Sequence, residues 1–297
     1  MITGQHFNRI AIVGVGLLGG SIGLALKERS FKCRITGIGR DEKKLVKAQS
    51  SGIIDAYSTS IESETANADL VVICTPVCSI AEIYKKIYPF LRSDTLVTDV
   101  GSTKHKLLKD ISKIEKGQSF FIGSHPMAGS EKNGHEAASA NLFNRSIVAV
   151  INDKNTSQEN LKKINAFWEF IGAIVVNLTS AEHDKIVSET SHVPHLISCL
   201  TAYACMKSSR SKDLFNNIYA NGLLDLTRLS QADPSMWMDI FSSNRENILN
   251  VIKKYKKHFA LIEKLLSNKD YDKFNKLLRD VKTFRENLSS NKIKTQK

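Results

Sequence analysis

The short, mostly apolar run Arg9 to Val13 passes directly into GVGLLG, residues 14–19, and then into the amphipathic stretch SIGLALKERS. A strand that feeds a glycine turn opening a helix restricts the fold sharply, because each glycine answers a separate steric demand. Gly14 permits the tight turn, Gly16 removes the side chain that would block a pyrophosphate, and Gly19 lets the helix pack closely on the strand. The pyrophosphate would rest on the exposed helix N-terminal amides around Leu17 and Leu18. A second predicted strand, Arg34 to Ile38, follows about twenty residues on, the spacing of a dinucleotide-binding unit.

The end of that second strand bears on which dinucleotide is bound. An acidic residue there would hydrogen-bond the adenosine ribose and repel a 2′-phosphate. The sequence reads Gly39, Arg40, Asp41. With Gly39 at the acidic position and Arg40 beside it, a 2′-phosphate is accommodated, and NADP is favoured over NAD. The alternative is that Arg40 is a solvated loop residue and Asp41 serves the ribose.

Through the first half of the chain, short apolar strands alternate with amphipathic helices, the pattern of a parallel sheet covered on both faces. Leu70 to Cys74, Thr95 to Asp99, Phe120 to Ile122, Ile147 to Ile151 and Ile174 to Val176 continue the strands. From Ser180 onward long helical periodicities replace them, over Ala181 to Met206, Leu214 to Asn221, Met236 to Leu266 and Tyr271 to Leu288. The expected architecture is therefore α/β: an N-terminal Rossmann-type doubly wound parallel sheet over 1–178, then an all-helical dimerisation and substrate domain over 179–297. The long apolar stripes of that half call for a partner, so a homodimer through the C-terminal helices is expected.

Composition narrows the class further. A chain of 297 residues exceeds one compact core, and its 42% hydrophobic content can bury one. Five cysteines without CxxC pairing read as reduced thiols, and neither a signal-peptide pattern nor a transmembrane stretch is visible, which points to the cytoplasm. The net charge of +12 lies on dispersed lysines that are not interleaved with aromatics, so no nucleic-acid partner is expected, though anionic substrates would be steered inward.

Ligands of open parallel sheets bind at the carboxyl ends of the strands. CTPVC, residues 74–78, places Thr75 and Pro76 where they can flank the cofactor. DVGSTK, residues 99–104, offers Gly101 for close approach and Ser102 for a substrate hydroxyl. GSHPMAGSE, residues 123–131, sets His125 among small residues in a loop after a buried strand, with a side chain whose pKa suits proton transfer near neutrality. In the helical half, SHVPHL puts His192 and His195 three apart on one helix face, for substrate contact or core packing; no third ligand stands at metal spacing, and no metal site is predicted. DLTRL carries Asp225 one turn before Arg228, either an exposed ion pair or, on a helix facing the cleft, a bidentate carboxylate binder held by Asp225.

GVGLLGG, DVGSTK, GSHPMAGSE, SHVPHL and DLTRLSQADPSMW, in this order, resemble the prephenate and arogenate (cyclohexadienyl) dehydrogenases of tyrosine biosynthesis, from Arg9 to about Leu288. The resemblance implies that His125 accepts the proton of the ring hydroxyl while Ser102 holds that hydroxyl and orients the histidine. It further implies that Arg228 binds a substrate carboxylate, that Ser130 and Glu131 line the pocket mouth, and that His192, His195 and Trp237 shape its helical wall. The implied reaction is oxidative decarboxylation: hydride passes from the carbinol carbon to a nicotinamide, and aromatisation drives loss of carbon dioxide. The alternatives are another dehydrogenase of similar architecture, of the β-hydroxyacid or imine reductase type, and a non-catalytic dinucleotide sensor.

Overall fold

The computed structural model describes residues 6–116, 120–128, 134–208 and 218–296, the last eight of these as backbone only. Six strands, β1 (Arg9–Val13), β2 (Arg34–Ile38), β3 (Ala56–Ser58), β4 (Leu70–Ile73), β5 (Leu96–Asp99) and β6 (Phe121–Ile122), form a wholly parallel sheet in the order β3-β2-β1-β4-β5-β6. The chain reverses its direction of winding between β1 and β4, which makes their carboxyl ends the crevice where a ligand binds.

The two-residue period of the strands explains the double covering. Ile10, Ile12, Leu70, Val72 and Leu96 face α1 (Leu17–Glu28) and α6 (Gln158–Phe170), where they meet Ile22, Leu26, Phe167 and Trp168. Ala11, Val13, Val71, Ile73 and Val97 point the other way, onto Ile80, Tyr84 and Ile87 of α4 (Val77–Ile87) and Leu107 and Ile111 of α5 (His105–Ile114). Each fully buried aliphatic or aromatic side chain is worth about 1.5–3 kcal/mol, so strands apolar on both faces are stable only in this sandwiched position. The short α2 (Glu42–Ser50) and α3 (Ile61–Thr65) complete the crossovers.

One expectation is corrected here. The last strands do not extend the parallel sheet: β7 (Ser124–Pro126), β8 (Ile147–Ile151) and β9 (Ile174–Leu178) form a second sheet, with β7 antiparallel to β8 and β8 parallel to β9. His125 therefore sits inside a strand, paired in register with Ala149, and not in a free loop. Hydrophobicity marked the buried run correctly, but the break at Gly123 that turns the chain into a new sheet has no signature in periodicity.

The expected helix over Ala181 to Met206 is interrupted. α7 (Ser180–Val187), opened by a Thr179/Glu182 capping box, passes through a π-helical turn at Ser188–His192 into α8 (Val193–Ser208). Of the helix expected over Leu214 to Asn221, residues 214–217 lie outside the described residues and 218–220 are not helical; α9 (Asn221–Thr227) begins only at its last residue. The stretch Met236 to Leu266 is broken at Asn244 into α10 (Pro234–Ser243) and α11 (Arg245–Ser267), and α12 (Tyr271–Gln296) follows. By internal packing the chain divides into Met1–Arg245 and Glu246–Lys297, so the first unit includes α7 to α10 along with both sheets.

Candidate active site

At the crevice between β1 and β4, Gly14 has φ +96°, and a Cβ there would lie 2.7 Å from the Cys74 carbonyl oxygen. A Cβ at Gly19 would stand 2.2 Å from the Gly14 carbonyl, so the helix can sit this close only with glycine at both places. Gly16 faces open space, with nothing within 4 Å of the position a Cβ would take. It is also the N-cap of α1 and supplies no side-chain acceptor, which leaves the amides of Leu17 and Leu18 directed at the opening. This cradle fits a pyrophosphate on the helix N-terminus.

Thr75 borders the cradle, its Cγ2 within 3.2 Å of the position a Gly14 Cβ would take, and its hydroxyl accepts a hydrogen bond from Ser79 at 2.9 Å. Pro76 caps α4 next to it. At the end of β2, Gly39 offers no carboxylate and Arg40 is exposed, while Asp41 turns its Oδ1 to the backbone N–H of Lys44 at 3.2 Å and caps α2. Asp41 is thus engaged as a helix cap, and Glu42 beside it accepts from the Tyr57 hydroxyl at 3.3 Å.

Across the sheet, half-buried His125 is held by a neighbour that the sequence did not single out. Its Nδ1 lies 2.8 Å from His183 Nε2, and His183 Nδ1 lies 2.7 Å from Asp184 Oδ1. The two carboxylate oxygens of Asp184 also accept the backbone N–H groups of Lys104 (2.8 Å) and His105 (3.0 Å) at the start of α5. Burial pushes the Asp184 carboxyl up, but the bonds from His183, Lys104 and His105 outweigh it and hold its pKa below the ordinary carboxylate range. An acceptor-only carboxylate fixes the sequence of protons: His183 Nδ1–H donates to Asp184, His125 Nδ1–H donates to His183, and His125 Nε2 is left with a free lone pair. Desolvation first, then the charges of His183, Lys104 and His192, hold His125 well below its ordinary pKa. This environment favours the uncharged ring.

Ser102 lies on the loop after β5, half-buried, and its hydroxyl has no hydrogen bond among the described residues. No hydrogen bond among the described residues joins Ser102 to His125, and the contact that holds the ring is the one from His183. Beneath these residues lies a buried ion pair, Lys104 Nζ to Asp99 Oδ2 at 2.5 Å, both side chains fully enclosed.

The helical wall is assembled around Asn244. Its Nδ2 donates to the Asp184 carbonyl at 2.7 Å and to His192 Nδ1 at 3.1 Å, which draws His192 into the scaffold. His195 stacks on Trp237 with ring centroids 3.5 Å apart and planes 17° from parallel. His195 Nε2 and Trp237 Nε1 are both buried without a hydrogen-bond partner among the described residues, a costly state that a polar ligand would relieve. The turn that begins at Arg228 packs on α8, which carries His195. Arg228 and Asp225 are both exposed and no ion pair joins them, so neither the surface ion pair nor the holding of Arg228 by Asp225 is seen. Ser130 and Glu131 lie outside the described residues, as does Lys132.

His183, Asp184 and Asp99 are the residues that sequence reasoning passed over. The available signals were an HD pair in the first helix after the strands end and a carboxylate closing an otherwise apolar buried strand.

A parallel sheet with a glycine cradle at its switch point, followed by a second sheet that carries a half-buried histidine, defines a Rossmann-type dinucleotide-binding protein with a helical second part. Residues 22–177 match the family model described as prephenate dehydrogenase, nucleotide-binding domain, and residues 179–280 the model described as prephenate dehydrogenase, dimerization domain. The chain belongs to the prephenate dehydrogenase family. It is 31% identical to the prephenate dehydrogenase of Lactococcus lactis over 96% of this chain and 78% of the relative, and 29% identical to the cyclohexadienyl dehydrogenase of Zymomonas mobilis over 90% and 91%. Among solved structures it superposes with TM-score 0.89 and 33% identity on the A. aeolicus prephenate dehydrogenase in complex with hydroxyphenyl propionate and NAD+, covering 95% of this chain and 98% of that one.

Proposed function

We propose that this chain is a NAD(P)-dependent prephenate or arogenate dehydrogenase that oxidatively decarboxylates a cyclohexadienol in tyrosine biosynthesis. The observation that carries this is the His125–His183–Asp184 chain, which leaves one imidazole nitrogen as a bare acceptor at the carboxyl edge of a dinucleotide-binding sheet. A nicotinamide dinucleotide, when bound, supplies the hydride acceptor; Gly14, Gly16, Leu17, Leu18, Gly19, Thr75, Pro76 and Gly101 would hold it. The chain's own task is to move one proton and to orient one hydroxyl. Ser102 fixes the ring hydroxyl and His125 Nε2 takes its proton, which favours loss of hydride from the same carbon. The positive charge that develops on His125 is passed toward His183 and finally balanced by Asp184.

Arg228 binds a substrate carboxylate, and the unpartnered His195 Nε2 and Trp237 Nε1 supply donors or acceptors along the wall. Gly39 and Arg40, with Asp41 engaged as a helix cap, support NADP over NAD. The division of labour follows 1–178 for the dinucleotide and 179–297 for substrate and dimerisation, with the homodimer built on the C-terminal helices of a cytoplasmic enzyme. Among the described residues no helix is long and apolar enough to cross a membrane. The test is steady-state kinetics with prephenate and arogenate, each with NAD and NADP. Formation of reduced dinucleotide and carbon dioxide in equal amounts is expected; no turnover with any of the four pairs would rule the reading out.

A further inference from the structure

The Asp99 carboxylate accepts three hydrogen bonds that lead in two directions. Its Oδ2 accepts the backbone N–H of Gly101 at 2.8 Å and the Lys104 ammonium at 2.5 Å; its Oδ1 accepts the backbone N–H of Ser124 at 3.1 Å, and β5, which it ends, lies directly beside β6. Gly101 immediately precedes Ser102, and Ser124 immediately precedes His125. A Cβ on Gly101 would come within 2.8 Å of the same Oδ2, so the loop can close on the carboxylate only because that residue is glycine.

Ser124 is tied down a second time. Thr98 spends its hydroxyl proton on the Ile122 carbonyl at 2.7 Å, so Ser124 is the donor in its 2.8 Å bond to Thr98, and Trp168 Nε1 donates to Ser124 at 3.0 Å. The strand ahead of His125 is thereby fixed on both sides. Lys104 supplies the counter-charge without which a fully buried carboxylate is prohibitively expensive, and it donates also to the Thr103 carbonyl at 3.3 Å.

We infer that the Asp99–Lys104 pair is a positioning device for the reaction: one buried carboxylate grips the backbone ahead of Ser102 and the backbone ahead of His125, and so sets the separation of the two side chains that meet the substrate hydroxyl. This rests on the roles given above to Ser102 and His125. A pair whose only purpose was stability would be replaceable by apolar residues of similar volume, as buried ion pairs often are. A pair that sets geometry is not, because a misplacement of about 1 Å can cost roughly a hundredfold in rate.

The test compares the full-length enzyme with Asp99→Asn/Lys104→Met, which removes both charges together, and with Asp99→Glu, which keeps the charge and moves the carboxylate by one methylene. Thermal melts establish folding, dinucleotide affinity is read by fluorescence titration, and kcat, substrate KM and the isotope effect of a substrate deuterated at the carbinol carbon are measured. In both variants kcat is expected to fall by about a hundredfold or more, with KM and dinucleotide affinity within about threefold of wild type, and the isotope effect is expected to rise because the chemical step has become limiting. A folded double variant with kcat within about threefold of wild type overturns the inference. So does a loss confined to KM, and so does failure of both variants to fold, which would assign the pair to stability alone. His125→Asn, measured in parallel, reports on the underlying reading separately: loss there with retained rate in the Asp99 variants sinks only the positioning role.

Discussion

His183 Nε2 stands 2.8 Å from His125 Nδ1, with the two rings 72° apart, so the second imidazole meets the first edge-on at its nitrogen. One nitrogen of His125 is thereby committed to the scaffold and the other is left as an acceptor. The arrangement does for a base what a carboxylate alone does in simpler pairs: it selects a tautomer and holds the ring plane.

The His125→Asn variant should retain dinucleotide binding and lose two to four orders of magnitude in turnover, roughly the contribution of a positioned general base. Single-turnover formation of reduced dinucleotide is the measurement. Near-normal rates would remove His125 from the proton transfer.

The pH profile follows from the environment of the same ring. Because desolvation and the nearby positive charges hold its pKa well below 6.5, His125 stays neutral as the pH falls through the ordinary histidine range. The plot of log kcat/KM against pH should therefore stay level through 6.5 and bend downward only at more acidic values. A limb at 6.5 or above would show that the base is solvated in the working enzyme.

Arg40→Ala should raise the Michaelis constant for NADP far more than that for NAD, since only the former carries the 2′-phosphate that a guanidinium grips. Equal changes with both dinucleotides would mean that Arg40 is merely a solvated loop residue.

Arg228→Ala should raise the substrate Michaelis constant by one or more orders of magnitude, because unpairing a desolvated carboxylate costs about 2–5 kcal/mol. The dinucleotide constant should hold within a small factor, and lysine should not fully replace arginine, lacking its two-pronged geometry. Unchanged substrate kinetics in a folded variant would send the search for the carboxylate site to Lys132.

Acid stability is expected to depend on His192. Its burial, aided by the charges of His183 and His195 and opposed by Asp184, lowers its pKa from 6.5 to about 4. The unfolded chain takes up a proton at 6.5 and the folded one only near 4, so the stabilisation is complete above 6.5 and drains away as pH falls from 6.5 to 4. Over that window the loss is about 3 kcal/mol from this residue. Urea unfolding at pH 7 and pH 4.5 should show a steeper decline in wild type than in His192→Gln, whose amide carries no titratable proton; parallel declines would contradict the assignment.

The dinucleotide half was legible because its determinants are local. Gly14, Gly16 and Gly19 each answer a constraint set within a few residues, and apolar strands such as Leu70–Ile73 carry their burial in their composition. The order of motifs likewise pointed to His125, Ser102 and Arg228, since residue type and position after a strand are visible in a linear string. The turn at Gly123 was not visible, because a strand leaving one sheet for another keeps the same two-residue period.

What the sequence by itself determined is thus the class of fold, the glycine cradle and the histidine proposed as the base. Only the tertiary structure decided how that base is held. Asp99 reaches Ser124 across 25 residues, His125 meets His183 across 58, and Asn244 bonds the Asp184 carbonyl across 60. Contacts of such separation depend on where whole strands and helices come to lie, and a polar side chain on a helix such as α7 gives no sign in the sequence of which partner it will face. Closing those loops costs chain entropy that grows only slowly with length, so burial of the apolar strands fixes the distant elements first. The hydrogen bonds that tune His125 then form in the geometry the core has imposed.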